Sequence, residues 1–172
     1  MKQLTQILQD ATAAIGPEYF LLPIHGGDPV YRERVYCYEL YHQMRLRWPD
    51  GCVYRLNGEV DKIGHPYFEA GGAPKPDLLV HQPGHGNNYA IVEVKSCRVG
   101  ADGIRKDLDT LSRFGNEFGY QRAIYLIYGA GPDGMLARVQ ECGVGIQHQI
   151  PIELWLHAEA RAPAVLSGNI AA

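Results

Sequence analysis

The chain has 172 residues, 46% of them hydrophobic and 20% charged, a length that suits one well-buried domain and leaves little for a second. A formal net charge of −3 excludes a protein that coats nucleic acid by bulk electrostatics, because nonspecific affinity comes from neutralising many phosphates; any such binding needs a local basic surface or a partner. No apolar run approaches the roughly 18 residues of a membrane span, and the start MKQLTQILQDATAA lacks the charge and apolar core of a secretory signal, so the cytoplasm is the expected location.

In chain order, Leu4, Ile7, Leu8 and Ala11 recur at helical spacing and predict a short amphipathic helix. Gly16, Pro17 and the run Pro23 to Pro29 break it. A second helix is predicted from Asp28, as N-cap, or Pro29 through YRERVYCYELYHQMRLRW to Pro49, with Val35, Tyr36, Leu40, Met44 and Trp48 on its stripe. After the turn Pro49 to Gly51, CVYRLNGEV alternates as a strand does, and the Gly/Pro-rich stretch Gly64 to Pro76 reads as a loop. PDLLVHQ and YAIVEVK around PGHGNN form an expected antiparallel hairpin.

Gly100 to Gly103 opens a third helix, with Ile104, Leu108 and Leu111 inward, ending before Gly119. QRAIYLIYG follows as an interior strand, and strand, helix, buried strand implies a parallel crossover and a mixed sheet. A short helix near Asp133 to Glu141 and a last strand near Ile150 to Leu156 complete the expected single domain. Its Ala-rich tail, residues 158–172, is expected to be frayed or helical. The four cysteines, Cys37, Cys52, Cys97 and Cys142, make no C-x-x-C pair, so neither a zinc ribbon nor a disulfide framework is indicated.

The chemistry concentrates in the hairpin. In VEVK, Glu93 and Lys95 share one strand face because side chains alternate. Any register that sets Asp77 opposite Glu93 or Lys95 brings all three to that face. Two close carboxylates make a hard-oxygen site for Mg²⁺, with Mn²⁺ as substitute, and Asp77 and Glu93 are the candidate ligands. Lys95 is placed to orient or deprotonate an attacking water and to balance charge in phosphodiester hydrolysis. An isolated E-x-K is more often a half-exposed strand with a surface salt bridge.

Pro76 and Asp77 in KPDLLVH, followed by Glu93, Val94 and Lys95 in IVEVKS, resemble the motif of the PD-(D/E)XK nuclease superfamily, over roughly residues 30 to 130. The resemblance implies a restriction-endonuclease-like α/β core in αβββαβ order, a central mixed sheet flanked by helices, and a Mg²⁺-dependent endonuclease or exonuclease acting on DNA rather than RNA. It also implies Val94 as a further metal contact and Glu39 as an acidic helper on the first core helix. Glu59 and Asp61 are an alternative pair for that role, and Glu39 paired with a neighbour one turn away is equally expected. Lys106, with Arg105 and Arg98, is the implied nucleic-acid contact; Arg113 is similar.

Arg105, Lys106, Asp107 and Asp109 lie off the apolar stripe and are solvated by default. His81 and His85 read as loop histidines rather than a zinc pair, GAGPDG as a turn rather than a phosphate loop, and the tyrosines of YRERVYCYELY as core or half-buried helix positions. The competing expectation is a catalytically silent nucleic-acid-binding or interaction subunit of the same fold. A homodimer or larger complex fits either case.

Overall fold

The stripe Leu4, Ile7, Leu8 and Ala11 is buried along α1 (Leu4–Thr12) in the computed structural model, which describes residues 3–59, 75–131 and 133–170. The expected break after it carries structure of its own: a single turn, α2 (Pro17–Phe20), then β1 (Leu22–Ile24) and β2 (Gly27–Val30), paired antiparallel. Gly26, at φ +74°, supplies the turn, and a two-stranded sheet leaves Pro29 an edge where its missing N–H is harmless.

The second helix therefore begins later than expected. It is α3 (Glu33–Leu46), with Arg32 at the N-cap and Asp28 left in a strand. Tyr36, Cys37, Leu40 and Met44 are its buried face, while Val35 and Trp48 are only partly covered.

Six strands make the main sheet, in the order β3 (Arg55–Gly58), β4 (Leu78–His81), β5 (Asn88–Ser96), β6 (Arg122–Tyr128), β7 (Ile152–His157) and β8 (Val165–Ile170). The expected hairpin is β4–β5, antiparallel. β6 lies parallel to β5 on its other side and β7 parallel to β6, so the sheet is mixed. The connection from β5 to β6 is α4 (Ala101–Phe118), stopped by Gly119 in the left-handed region at φ +65°. A last helix, α5 (Met135–Gly143), starts two residues after Asp133, behind Gly134 at φ +75°. β3 is shorter than the expected strand. The tail departs further from expectation: Val165 to Ile170 close the sheet as an antiparallel edge strand on β7. The loop expected over Gly64 to Pro76 lies outside the described residues except for Lys75 and Pro76.

Helices cover both sheet faces. Ala90, Val92 and Val94 of β5 pack with the buried residues of α1 and α3; Ile91 packs with those of α4 and α5. Period-two alternation then puts Glu93 and Lys95 on the α4 face, which is the step that positions the site. Among the described residues no helix is long and apolar enough to cross a membrane.

Candidate active site

The β4–β5 register pairs Leu78 with Val92, and one step outward it sets Asp77 opposite Glu93. Two steps outward the residue facing Val94 is Pro76, which has no N–H to offer the ladder. The Val94 carbonyl therefore has no ladder donor, and the Val94 N–H donates to Asp77 Oδ2 at 2.7 Å. The Asp77 and Glu93 carboxyl groups are also close enough to interact directly, and each shifts the other's proton affinity. The Pro-Asp dipeptide thus has a physical role. Proline stops the strand, and aspartate caps the next strand's free amide while its second oxygen stays in the site.

Lys95 Nζ lies 3.5 Å from Glu33 Oε2 and 3.8 Å from Asp107 Oδ1, and donates to the Val94 carbonyl at 3.3 Å. Glu33, in the first turn of α3, also accepts the Ser96 N–H at 3.3 Å. Asp107 hangs from α4 and accepts the Tyr125 hydroxyl at 3.1 Å. Four carboxyl groups from three parts of the chain thereby surround one ammonium. An ordinary surface salt bridge does not describe this arrangement, because Glu93 is 5% exposed and Asp107 4%.

The electrostatics follow from that crowding. Burial pushes the Glu93 carboxyl well above its usual range, and the charges of Asp77 and Asp107 push it further. Asp77 is raised by burial too, against the opposing pull of Lys95 and of the Val94 and Glu93 hydrogen bonds. Burial brings Asp107 up to about 6, although Lys95 and the Tyr125 hydroxyl favour its charged form. For Lys95, burial alone would lower the ammonium, but Asp77, Asp107, Glu33 and Glu93 together hold it above its ordinary value. The crowding favours the charged form of Lys95 and the neutral form of Glu93.

The donor chemistry suits a hard divalent ion. Asp77, Glu93 and the Val94 carbonyl are oxygen donors, and the neighbouring Cys37 thiol is pushed up by burial and by Asp77, so it stays protonated and offers no thiolate. Among the described residues no three or more His, Cys, Asp or Glu side chains are arranged to hold a metal ion. An ion here would take two carboxylates, main-chain oxygen and water, a set that Mg²⁺ accepts because it keeps much of its hydration.

The other expected residues are dispersed. Glu39 accepts a hydrogen bond from Gln43 Nε2 at 2.7 Å and makes no described contact with the cluster. Glu59 pairs with Arg34 at 3.3 Å, and Asp61 lies outside the described residues. Arg105 and Lys106 line a surface groove with Val144, Gly145 and Ile146. Arg98 is exposed and sits over the Tyr31 ring, 5.7 Å from its centroid; Arg113 pairs with Glu117. His81 meets Asn57 and His85 meets the Pro83 carbonyl.

Two members of the cluster were not expected, and one reading is corrected: Asp107 is buried rather than solvated. The signal in both cases was an acid on an apolar stripe. Glu33 falls in line with Tyr36, Cys37, Leu40 and Met44, and Asp107 with Ile104, Leu108 and Leu111, at three- and four-residue steps. Glu39 stands off the first of those lines. No family model, curated protein or solved structure matches the chain.

Proposed function

We propose that this chain is a divalent-metal-dependent nuclease of the PD-(D/E)XK type, with a restriction-endonuclease-like core, that hydrolyses phosphodiester bonds in DNA. The observation that carries the proposal is the Asp77–Glu93 carboxyl pair, set opposite each other and withdrawn from solvent at the open end of β4 and β5, with Lys95 two residues on from Glu93. A pair of acids this close and this buried repels itself when ionised, and a cation between them removes the penalty.

Mg²⁺ bound there would polarise a phosphate oxygen and lower the pKa of a coordinated water. Asp77 and Glu93 would be its side-chain ligands, and the Val94 carbonyl, left without a ladder donor by Pro76, would be the main-chain ligand. Lys95, held as a cation by the surrounding carboxylates, would donate a hydrogen bond to a nonbridging phosphate oxygen and offset the charge growing there, or orient the attacking water. Glu33 and Asp107 position the Lys95 ammonium. The helper acid on the first core helix is Glu33.

A second reading is favoured by the contacts of Lys95 with Glu33 and Asp107: a self-neutralised polar cluster in a catalytically silent subunit that binds nucleic acid or a partner protein. Cleavage separates the two. Purified protein incubated with single-stranded, duplex and branched DNA in Mg²⁺ or Mn²⁺ is expected to cut at least one substrate, and Asp77→Asn, Glu93→Gln and Lys95→Met to abolish cutting. Absence of cleavage of every substrate, together with no heat of metal binding, would refute the nuclease.

A further inference from the structure

One face of α3 has a composition that the nuclease chemistry does not use. Arg34, Tyr38, Tyr41 and Arg45 follow one another at steps of four, three and four residues, which stacks them in a single line along the helix. That line is separate from the buried one of Tyr36, Leu40 and Met44. Tyr38 is 60% exposed, the most exposed position available to an aromatic ring on this helix; Tyr41 is half-buried with its hydroxyl donating to the Leu56 carbonyl, and Arg34 and Arg45 are exposed.

The line also has a destination. Tyr38 and Tyr41, with Cys37, form one wall of a cleft of about 440 Å³ between α3 and the edge strand β3, and Asn57, Gly58, Asp77, Leu78 and the Arg34-paired Glu59 line the other side. Asp77 is thus among the residues that line this cleft. One turn further along α3, Arg45 lines a second depression of about 300 Å³ with Trp48 and Arg55. The order along the seam is carboxylate site, two tyrosines, then arginines with an indole. On a chain of net charge −3, this is a local concentration of guanidinium groups interleaved with aromatic rings.

We propose that the α3–β3 seam is a track for an unpaired polynucleotide strand, which stacks a base on Tyr38, lays its phosphates along Arg45 and Arg34, and delivers the next phosphate to Asp77. The proposal deepens the nuclease reading and rests on it for the direction of the strand. Flat rings accept the face of any base, which a stacked duplex does not offer, and guanidinium groups bridge successive phosphates. Arg34 exchanges its Glu59 partner, 3.3 Å away at the surface, for phosphate at little cost, because an exposed ion pair is weak.

The test measures binding without catalysis. Fluorescence anisotropy of a short labelled oligothymidylate in EDTA, against a duplex of equal length, is expected to show tighter binding of the single strand. Tyr38→Ala is expected to weaken that binding on the order of tenfold and Tyr38→Phe to restore it, as loss of one stacked base implies. Arg45→Ala is expected to flatten the salt dependence. Tyr38 is exposed, so both its variants should melt with the wild type. Duplex binding as tight as single-strand binding, or a Tyr38→Ala affinity within twofold of wild type, would overturn the track. Its failure alone, with Mg²⁺-dependent cleavage intact, leaves the nuclease standing; single-strand binding that depends on Tyr38 in a protein that cuts nothing refutes the nuclease and leaves the track.

Discussion

Divalent metal and one proton should compete for the Asp77–Glu93 pair. Burial and the charges of Asp77 and Asp107 favour the protonated form of Glu93, so a metal ion that uses both carboxylates must displace that proton. Because the Glu93 pKa is raised, affinity should increase about tenfold per pH unit as pH rises toward that pKa, and level off above it. Titration calorimetry with Mn²⁺ in two buffers of different ionisation enthalpy should report about one proton released per ion bound. At a metal concentration of 100 times Kd the folded state gains about 2.7 kcal/mol, or roughly 5–10 °C in Tm for a chain of this size. Glu93→Gln keeps a donor to Asp77 and carries no exchangeable acid, so it should fold normally, release no proton and lose the metal-dependent rise. Equal Mn²⁺ stabilisation of wild type and Glu93→Gln, or binding without proton release, would refute this competition.

Three further outcomes follow from the same cluster. Asp107 has a folded pKa of about 6 against an ordinary 3.8, so the folded state holds its proton more tightly; in EDTA, stability should fall as pH rises through that window, by up to about 3 kcal/mol, and urea melts of Asp107→Asn should lose that part of the slope. Lys95→Met strands the surrounding carboxylates and should destabilise the metal-free protein by about 3 kcal/mol at pH 8 and by much less at pH 5, where the acids take up protons instead. Glu33→Gln should lower cleavage on the order of tenfold or more by removing the charge that holds Lys95, whereas Glu39→Gln, which can still accept from Gln43, should stay within about twofold. Initial rates with matched thermal melts decide that comparison.

Much of this site was legible in the residues because strand geometry is strict. Once PGHGNN joined two β-rich runs, period-two alternation forced Glu93 and Lys95 onto one face, and the observed register placed Asp77 opposite Glu93. The helical partners were harder to see. The rule that charges face water reads Asp107 as solvated, and the resemblance points to Glu39 on the first helix, whereas Glu33 and Asp107 lie on the stripes and within salt-bridge reach of Lys95. The same rule treated the tyrosines of the second helix as one group; Tyr36 is fully buried against Tyr128, while Tyr38, two residues on, points out of the opposite side. The edges of the fold were obscure for another reason. The β1–β2 hairpin and β8 are short pieces containing Pro29 and Gly168, and their order comes from a neighbouring strand, not from their own pattern.

The central claim is that Asp77 and Glu93 hold a divalent ion beside Lys95. A crystal structure of the protein soaked in Mn²⁺, with anomalous differences recorded, tests it directly. The account predicts one strong peak in contact with the Asp77 and Glu93 carboxylates and the Val94 carbonyl, with Lys95 Nζ drawn off that carbonyl toward a metal-bound water. A map with no peak there, and Lys95 still bonded to Val94 at saturating Mn²⁺, would contradict it.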